Sequence, residues 1–89
     1  RQGAMFSTIR RIIDREGRLP IAAADLTPKA DLFASGLTPY CAVRIMLALE
    51  REFEVEFPRH AMKRETMRSL ESIEQALRLA QSAALVPGA

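Results

Sequence analysis

The sequence is poor in the residues that build covalent or metal-linked frameworks. It contains one cysteine, Cys41, one histidine, His60, and no tryptophan. A lone cysteine cannot form an internal disulfide, and one cysteine with one histidine cannot complete a zinc site. The longest uninterrupted apolar run covers residues 45–49, far shorter than a membrane span or the core of a signal peptide. We therefore expect a soluble, cytoplasmic domain that needs neither a metal nor a membrane.

The residues that are present describe one small globular domain. The 89 residues are 48% apolar and 27% charged, an ordinary composition for a chain with a single folded core. Thirteen basic residues against eleven acidic ones leave a net charge of +2. Because the arginines are dispersed among acids and do not alternate with aromatic residues, the pattern disfavours nucleic-acid binding.

Apolar residues recur at helical spacing near the N-terminus. The pattern predicts helix one over residues 6–16, with Gly17 as its stop. Residues 1–4 lie outside the pattern and are interpreted as a cloning remnant. The predicted domain then covers residues 5–83, and residues 84–89 form a flexible tail.

A long loop is predicted between helices one and two, over residues 18–37. Two prolines and Gly36 interrupt any helix in this segment. We expect Leu32 and Phe33 to lie in a single turn and to reach the core. A loop of this length in so small a domain is commonly functional.

Thr38 and Pro39 form a strong start for helix two. A threonine hydroxyl can accept a hydrogen bond from a free N–H group of the first turn, and a proline at the first helical position has no N–H to lose. An apolar stripe at helical spacing follows: Ala42, Ile45, Met46, Leu49 and Phe53. Tyr40, Val43 and Leu47 lie beside this stripe, either as ordinary packing or as a contact for a partner.

The sequence pattern in the last third of the chain predicts an extended connector, then a short helix, then a long helix. Val55 and Phe57 alternate with acids and should tuck into the core. Residues 60–64 are predicted as the short helix, with His60 on its surface, and Ser69 as the N-cap of the last helix. The predicted fold class is therefore all-α, a bundle of three longer helices plus one short helix.

Residues 31–50 read DLFASGLTPYCAVRIMLALE and resemble the heart of an acyl carrier protein. Members of that family have Asp-Leu-Phe, a glycine a few residues later, Asp-Ser-Leu at the start of helix two, and a helix that ends in Glu-x-Phe. The resemblance covers about residues 6–80. The sequence is also similar, more weakly, to the aminoacyl carrier proteins served by stand-alone amino-acid ligases related to seryl-tRNA synthetases.

The resemblance implies a fold, a chemistry and a kind of partner. It implies the acyl-carrier bundle and a domain that is not itself an enzyme. In the family, 4′-phosphopantetheine is esterified to the motif serine, and its terminal thiol carries an acyl or aminoacyl group. The start of a helix suits that phosphodiester, because free N–H groups and the helix dipole favour an anion. The implied partners are ligase, synthase or transferase enzymes that recognise helix two.

Pro39 stands where the resemblance implies the attachment serine. Proline has no hydroxyl, so no cofactor is expected there, and Thr38 replaces the flanking aspartate. Other acids of the family's helix two correspond to Cys41 and Arg44. We therefore expect a monomeric, non-catalytic module that docks a partner protein through helix two. Five residues are predicted to contact that partner: Thr38, Tyr40, Val43, Arg44 and Leu47.

Several alternatives remain open. The main alternative is a working acyl or aminoacyl carrier that bears 4′-phosphopantetheine on another hydroxyl, Ser35 or Thr38. If neither hydroxyl is modified, Ser35 is simply a turn residue and Thr38 the N-cap of helix two. Cys41 is either a reactive thiol, since helix N-termini activate thiols, or a small residue replacing a polar surface one. Arg44 and Arg51 are either solvated or part of a docking surface.

Overall fold

The computed structural model describes residues 2–84 and is built from three long helices. They are α1 (Gln2–Glu16), α2 (Pro39–Phe53) and α3 (Leu70–Ala84). Three short 3₁₀ turns lie in the connections, at Ala23–Asp25, Arg59–Ala61 and Arg64–Met67. Between residues 2 and 84 no strand is formed, and the all-α prediction is confirmed. Ala84, predicted as the first residue of the tail, belongs to α3. Arg1 of the predicted remnant and residues 85–89 of the predicted tail lie outside the described part of the chain.

Helix α1 is longer than the pattern predicted. It begins at Gln2, so residues 2–4, interpreted as a remnant, are helical. It ends before Gly17, as predicted, and the Gly17 N–H donates to the Ile13 carbonyl oxygen at 2.7 Å. A Cβ on Gly17 would lie 2.7 Å from that same oxygen, so the helix can end this way only with a glycine.

The long loop is held against α1 by two side chains of that helix. The Arg10 guanidinium donates to the carbonyl oxygens of Ala23 and Leu26, at 3.1 and 3.0 Å. Asp14 Oδ1 accepts from the Ala23 N–H at 2.8 Å. These contacts fix a loop that has little regular structure of its own.

The predicted turn before α2 is confirmed. Asp31 Oδ1 accepts from the N–H groups of Phe33 and Ala34, at 2.9 and 3.2 Å. Leu32 is fully buried and Phe33 is half-buried. Gly36 completes the turn with a φ of 118°, a region that other residues rarely adopt.

The predicted short helix over residues 60–64 is not formed. Two 3₁₀ turns stand in its place, separated by Lys63 with φ −148° and ψ 163°. That extended residue interrupts the helical hydrogen bonds, and both Ala61 and Met67 are buried on either side of it. Phe57 is buried and Val55 half-buried before these turns, as predicted.

Helix α3 begins at the predicted cap. Ser69 Oγ accepts from the Ser72 N–H at 3.1 Å, and Ser72 Oγ accepts from the Ser69 N–H at 3.0 Å. This reciprocal pair satisfies N–H groups that have no partner inside the helix.

The core lies between the three helices. Their largest fully buried side chains are Ile9, Ile12, Ile13, Ile45, Leu49, Leu70, Ile73 and Leu77. In α2 the predicted stripe faces this core, with Phe53 half-buried at its end. Across residues 2–84, none of the helices has the length and apolarity needed to cross a bilayer.

Candidate functional site

The start of α2 has the geometry that the sequence predicts. Thr38 is the N-cap, with φ −95° and ψ 157°, and Pro39 is the first helical residue. Thr38 Oγ1 accepts from the Cys41 N–H at 3.1 Å. Both Thr38 and Pro39 are exposed, so the surface at this helix start presents a proline ring.

The two hydroxyls near Pro39 have local structural roles. Ser35 is a half-buried residue, and its Oγ donates to the Asp31 carbonyl oxygen at 3.1 Å, which closes the turn before the helix. Thr38 Oγ1 caps the helix, and its side chain remains exposed. Of the two, only Thr38 combines exposure with a position next to Pro39.

Three large side chains on the outer face of α2 are exposed to solvent. Tyr40 is 68% exposed, Val43 53% and Leu47 48%. Their spacing places them along one side of the helix, and we call them the apolar strip. Side chains used for core packing would be covered, so these three do not belong to the core; their contact with a partner remains a prediction.

Arg44 is fixed beside the apolar strip. Its Nε and Nη2 donate to Oε1 of Glu16, at 3.1 and 2.8 Å. Its Cζ lies 5.9 Å from the centroid of the Tyr40 ring. The Tyr40 hydroxyl and the Glu16 carboxylate both raise the pKa of Arg44. Arg51 is exposed farther along the helix, in its last turn.

A groove of about 400 Å³ separates α2 from the 3₁₀ turns that follow it. We call it the connector groove. Its apolar lining comprises Phe33, Pro39, Ala42, Val43, Met46, Met62 and Met67. Lys63 and Arg64 also line it, and the Arg64 Cζ lies 3.9 Å from the centroid of the Phe33 ring. Sequence reasoning did not select Met62, Lys63 or Arg64, although Lys63 and Arg64 form an adjacent basic pair.

Two other candidate residues are placed clearly. Cys41 is 6% exposed and belongs to the core, which corrects the expectation of a surface position. The first turn of α2 directs it inward, beside Ala42. His60 is exposed in the turn Arg59–Ala61, as expected of a surface residue.

The fold and this site together define a small helical carrier-type domain, in which a long ordered loop leads into a capped, exposed helix start. A family model described as "Phosphopantetheine attachment site" matches residues 7–77. The chain therefore belongs to the phosphopantetheine attachment site family. Domains of this kind are not enzymes.

Known relatives place the chain close to one branch of carrier proteins. The chain is 36% identical to the aminoacyl carrier protein of Agrobacterium fabrum over 75 residues, which is 84% of this chain and 90% of the relative. It is similar to a carrier protein from Agrobacterium tumefaciens in a crystal structure with an engineered Bradyrhizobium japonicum glycine:carrier protein ligase and ATP. There the TM-score is 0.82 and the identity 36%, covering 84% of this chain and 97% of the other.

A further crystal structure contains the Bradyrhizobium japonicum glycine:carrier protein ligase with a glycylated carrier protein. That match has a TM-score of 0.70 and 30% identity, and it covers 82% of this chain and 97% of the other. The chain is thus a homologue of aminoacyl carrier proteins and has their fold.

Proposed function

We propose that this protein is a carrier-type docking module that binds an enzyme through α2 and bears no 4′-phosphopantetheine. The observation that carries the proposal is the exposed proline at the first position of α2, where the resemblance places the attachment serine. We further propose that the module is a cytoplasmic monomer.

The residues at this helix start do not fit the prosthetic group. Attachment needs an accessible alcohol oxygen at the family position, and the Pro39 ring has none. The hydroxyl of Ser35 is engaged with the Asp31 carbonyl oxygen inside the turn. The Thr38 oxygen accepts the capping hydrogen bond, so a substituent on it would have to share that role. The mismatch favours a domain that has kept the fold without the cargo.

The outer face of α2 supports the docking part of the proposal. The apolar strip exposes three large side chains in a row, and exposed apolar patches commonly mark sites of protein contact. Arg44 is held in place beside them by Glu16. Exposure of all five contact residues predicted from the sequence is consistent with this proposal: Thr38, Tyr40, Val43, Arg44 and Leu47.

The nature of the partner is inferred from the relatives. Two of the similar carrier proteins are seen in complexes with a glycine:carrier protein ligase. We propose an amino-acid ligase of this type as the enzyme that this module binds. A module without phosphopantetheine would then occupy the carrier site of the ligase and compete with a carrier that bears phosphopantetheine and awaits its amino acid.

A working carrier modified at Thr38 or Ser35 is the second candidate function. Thr38 favours it most, because its side chain is exposed and adjacent to Pro39. In that case the protein would carry an acyl or aminoacyl group in lipid, polyketide or amino-acid-activation chemistry.

Intact mass separates the two functions. The protein is incubated with coenzyme A and a phosphopantetheinyl transferase, with the Agrobacterium fabrum aminoacyl carrier protein as a positive control. We expect the control to gain one phosphopantetheine arm and this protein to keep its mass. A gain of one arm that disappears in Thr38→Val or Ser35→Ala would establish the second function instead.

Competition tests the docking part. The Bradyrhizobium japonicum ligase is supplied with glycine, ATP and the control carrier bearing its phosphopantetheine arm, while increasing amounts of this protein are added. We expect the rate of glycylation to fall as the unmodified protein occupies the ligase. An unchanged rate at a large excess would contradict docking.

A further inference from the structure

The connector groove is cationic as well as apolar. Among the residues that the structure describes, Lys63 and Arg64 line it together with seven uncharged residues and no acidic one. Within residues 2–84, the arginines found in ion pairs are Arg11, Arg15, Arg44 and Arg78. In this described part of the chain, neither Lys63 nor Arg64 takes part in an ion pair.

Arg64 is held in a defined orientation. Its guanidinium lies over the Phe33 ring, with its Cζ 3.9 Å from the ring centroid. Stacking uses the flat face of a guanidinium and leaves the N–H groups at its edge free to donate. A carboxylate can accept two of these N–H groups at once, in a geometry that lysine does not offer.

The connector groove continues into the apolar strip. Val43 belongs to both, and Met62, on the opposite side of the groove, is 53% exposed. The exposed surface thus combines an apolar depression with two cations on the same side. A partner segment that fits this surface would have a protruding apolar side chain with carboxylates beside it.

We infer that the enzyme partner docks on the connector groove through an acidic, apolar segment of its own chain. An apolar side chain of that segment enters between Val43 and Met62, and an aspartate or glutamate beside it binds Arg64 and Lys63. The inference rests on the proposed function and names the chemistry of its partner. It also adds Met62, Lys63 and Arg64 to the docking surface predicted from the sequence.

Single charge reversals test the inference. Binding to the Bradyrhizobium japonicum ligase is measured by calorimetry for the wild type, Lys63→Glu and Arg64→Glu. Lys29→Glu is the matched control, because Lys29 is exposed in the long loop and undergoes the same change of charge. We expect both groove variants to weaken binding on the order of tenfold, and Lys29→Glu to leave it unchanged. Thermal melting of each variant verifies that it is folded.

Salt gives an independent readout. If carboxylates bind these cations at an open groove, the wild-type affinity should fall between about 0.05 and 0.5 M salt, and less steeply in Arg64→Glu. If the wild type binds the ligase and Lys63→Glu and Arg64→Glu bind it equally well, this inference is overturned and the proposed function stays intact. No wild-type binding at any salt concentration would contradict the proposed function itself. A self-association that Arg64→Glu abolishes would identify a second copy as the occupant and overturn the inference.

Discussion

Arg44 and Glu16 connect α2 to α1, the long helix that precedes it in the sequence. Two guanidinium nitrogens of Arg44 donate to the same Glu16 oxygen, at 3.1 and 2.8 Å, and Glu16 is the last residue of α1. Arg15 donates to the other Glu16 oxygen at 3.0 Å. The contact therefore fixes Arg44 beside Tyr40 and ties the apolar strip to α1.

Acid is expected to break this contact. Arg15 and Arg44 hold the pKa of Glu16 below its ordinary value of 4.5. A carboxyl whose pKa is lowered by folding stabilises the fold above its ordinary pKa, and this contribution disappears as the pH falls through the lowered value. The melting temperature of Glu16→Gln should therefore lie below that of the wild type near neutral pH and approach it below pH 4.5. Circular dichroism at a series of pH values measures both.

The control for this pH series is Glu56→Gln, which changes an exposed glutamate outside this cluster. Its melting curve should follow the wild type at every pH. If the difference in melting temperature between Glu16→Gln and the wild type is the same at every pH, Glu16 does not stabilise the fold through its charge.

The N-cap of α2 should be measurable as stability. Thr38→Ala removes the oxygen that accepts from the Cys41 N–H and should lower the free energy of unfolding by about 1 kcal/mol. Thr38→Ser keeps an oxygen at the cap and should lose much less. Urea unfolding compares the three proteins. Equal stability of the alanine and serine variants would mean that the cap contributes nothing.

Two exposed leucines on different helices provide a matched test of docking. Leu47 on α2 is 48% exposed and Leu79 on α3 is 67% exposed, so glutamate at either position should change folding stability little. Leu47→Glu should weaken ligase binding by about five- to tenfold, whereas Leu79→Glu should not. Calorimetric titration against the ligase measures both. Equal effects of the two substitutions would place the docking surface elsewhere.

Restoring a hydroxyl at position 39 tests how much of the attachment site is missing. Pro39→Ser supplies an alcohol oxygen but leaves Thr38 and Arg44 where the resemblance places acids. We expect Pro39→Ser to gain no arm from the transferase, and Thr38→Asp, Pro39→Ser and Arg44→Glu combined to gain one. Intact mass after incubation with coenzyme A reads the result. Modification of Pro39→Ser alone would show that the transferase does not need those acids.

Much of the fold follows from local patterns in the sequence. Thr38-Pro39 and Ser69 mark the starts of α2 and α3 because a hydroxyl cap and a proline at the first position act within one turn of chain. The segment after Pro58 was harder to predict. Its short apolar pattern suits a helix, but extended backbone at Lys63 allows Ala61 and Met67 to be buried, which is a tertiary requirement.

The candidate site likewise has one part that local sequence predicts and another that depends on tertiary packing. The apolar strip could be predicted, because helical periodicity sets which side chains of α2 share a face. The core position of Cys41 could not be predicted, because its neighbours in sequence do not reveal that the first turn of α2 packs inward. The connector groove was not predicted either. Phe33 and Arg64 are far apart in the sequence, and only the packing of the loop against the turns brings them together.

The sequence by itself determined the helices, the capped start of α2 and the absence of a hydroxyl at Pro39, since each depends on residue type and on neighbours within a turn or two. The tertiary structure alone decided that Arg44 meets Glu16 and that Lys63 and Arg64 lie across a groove from Val43. Such contacts join distant segments, and their geometry is set by how the side chains of the whole core fit together.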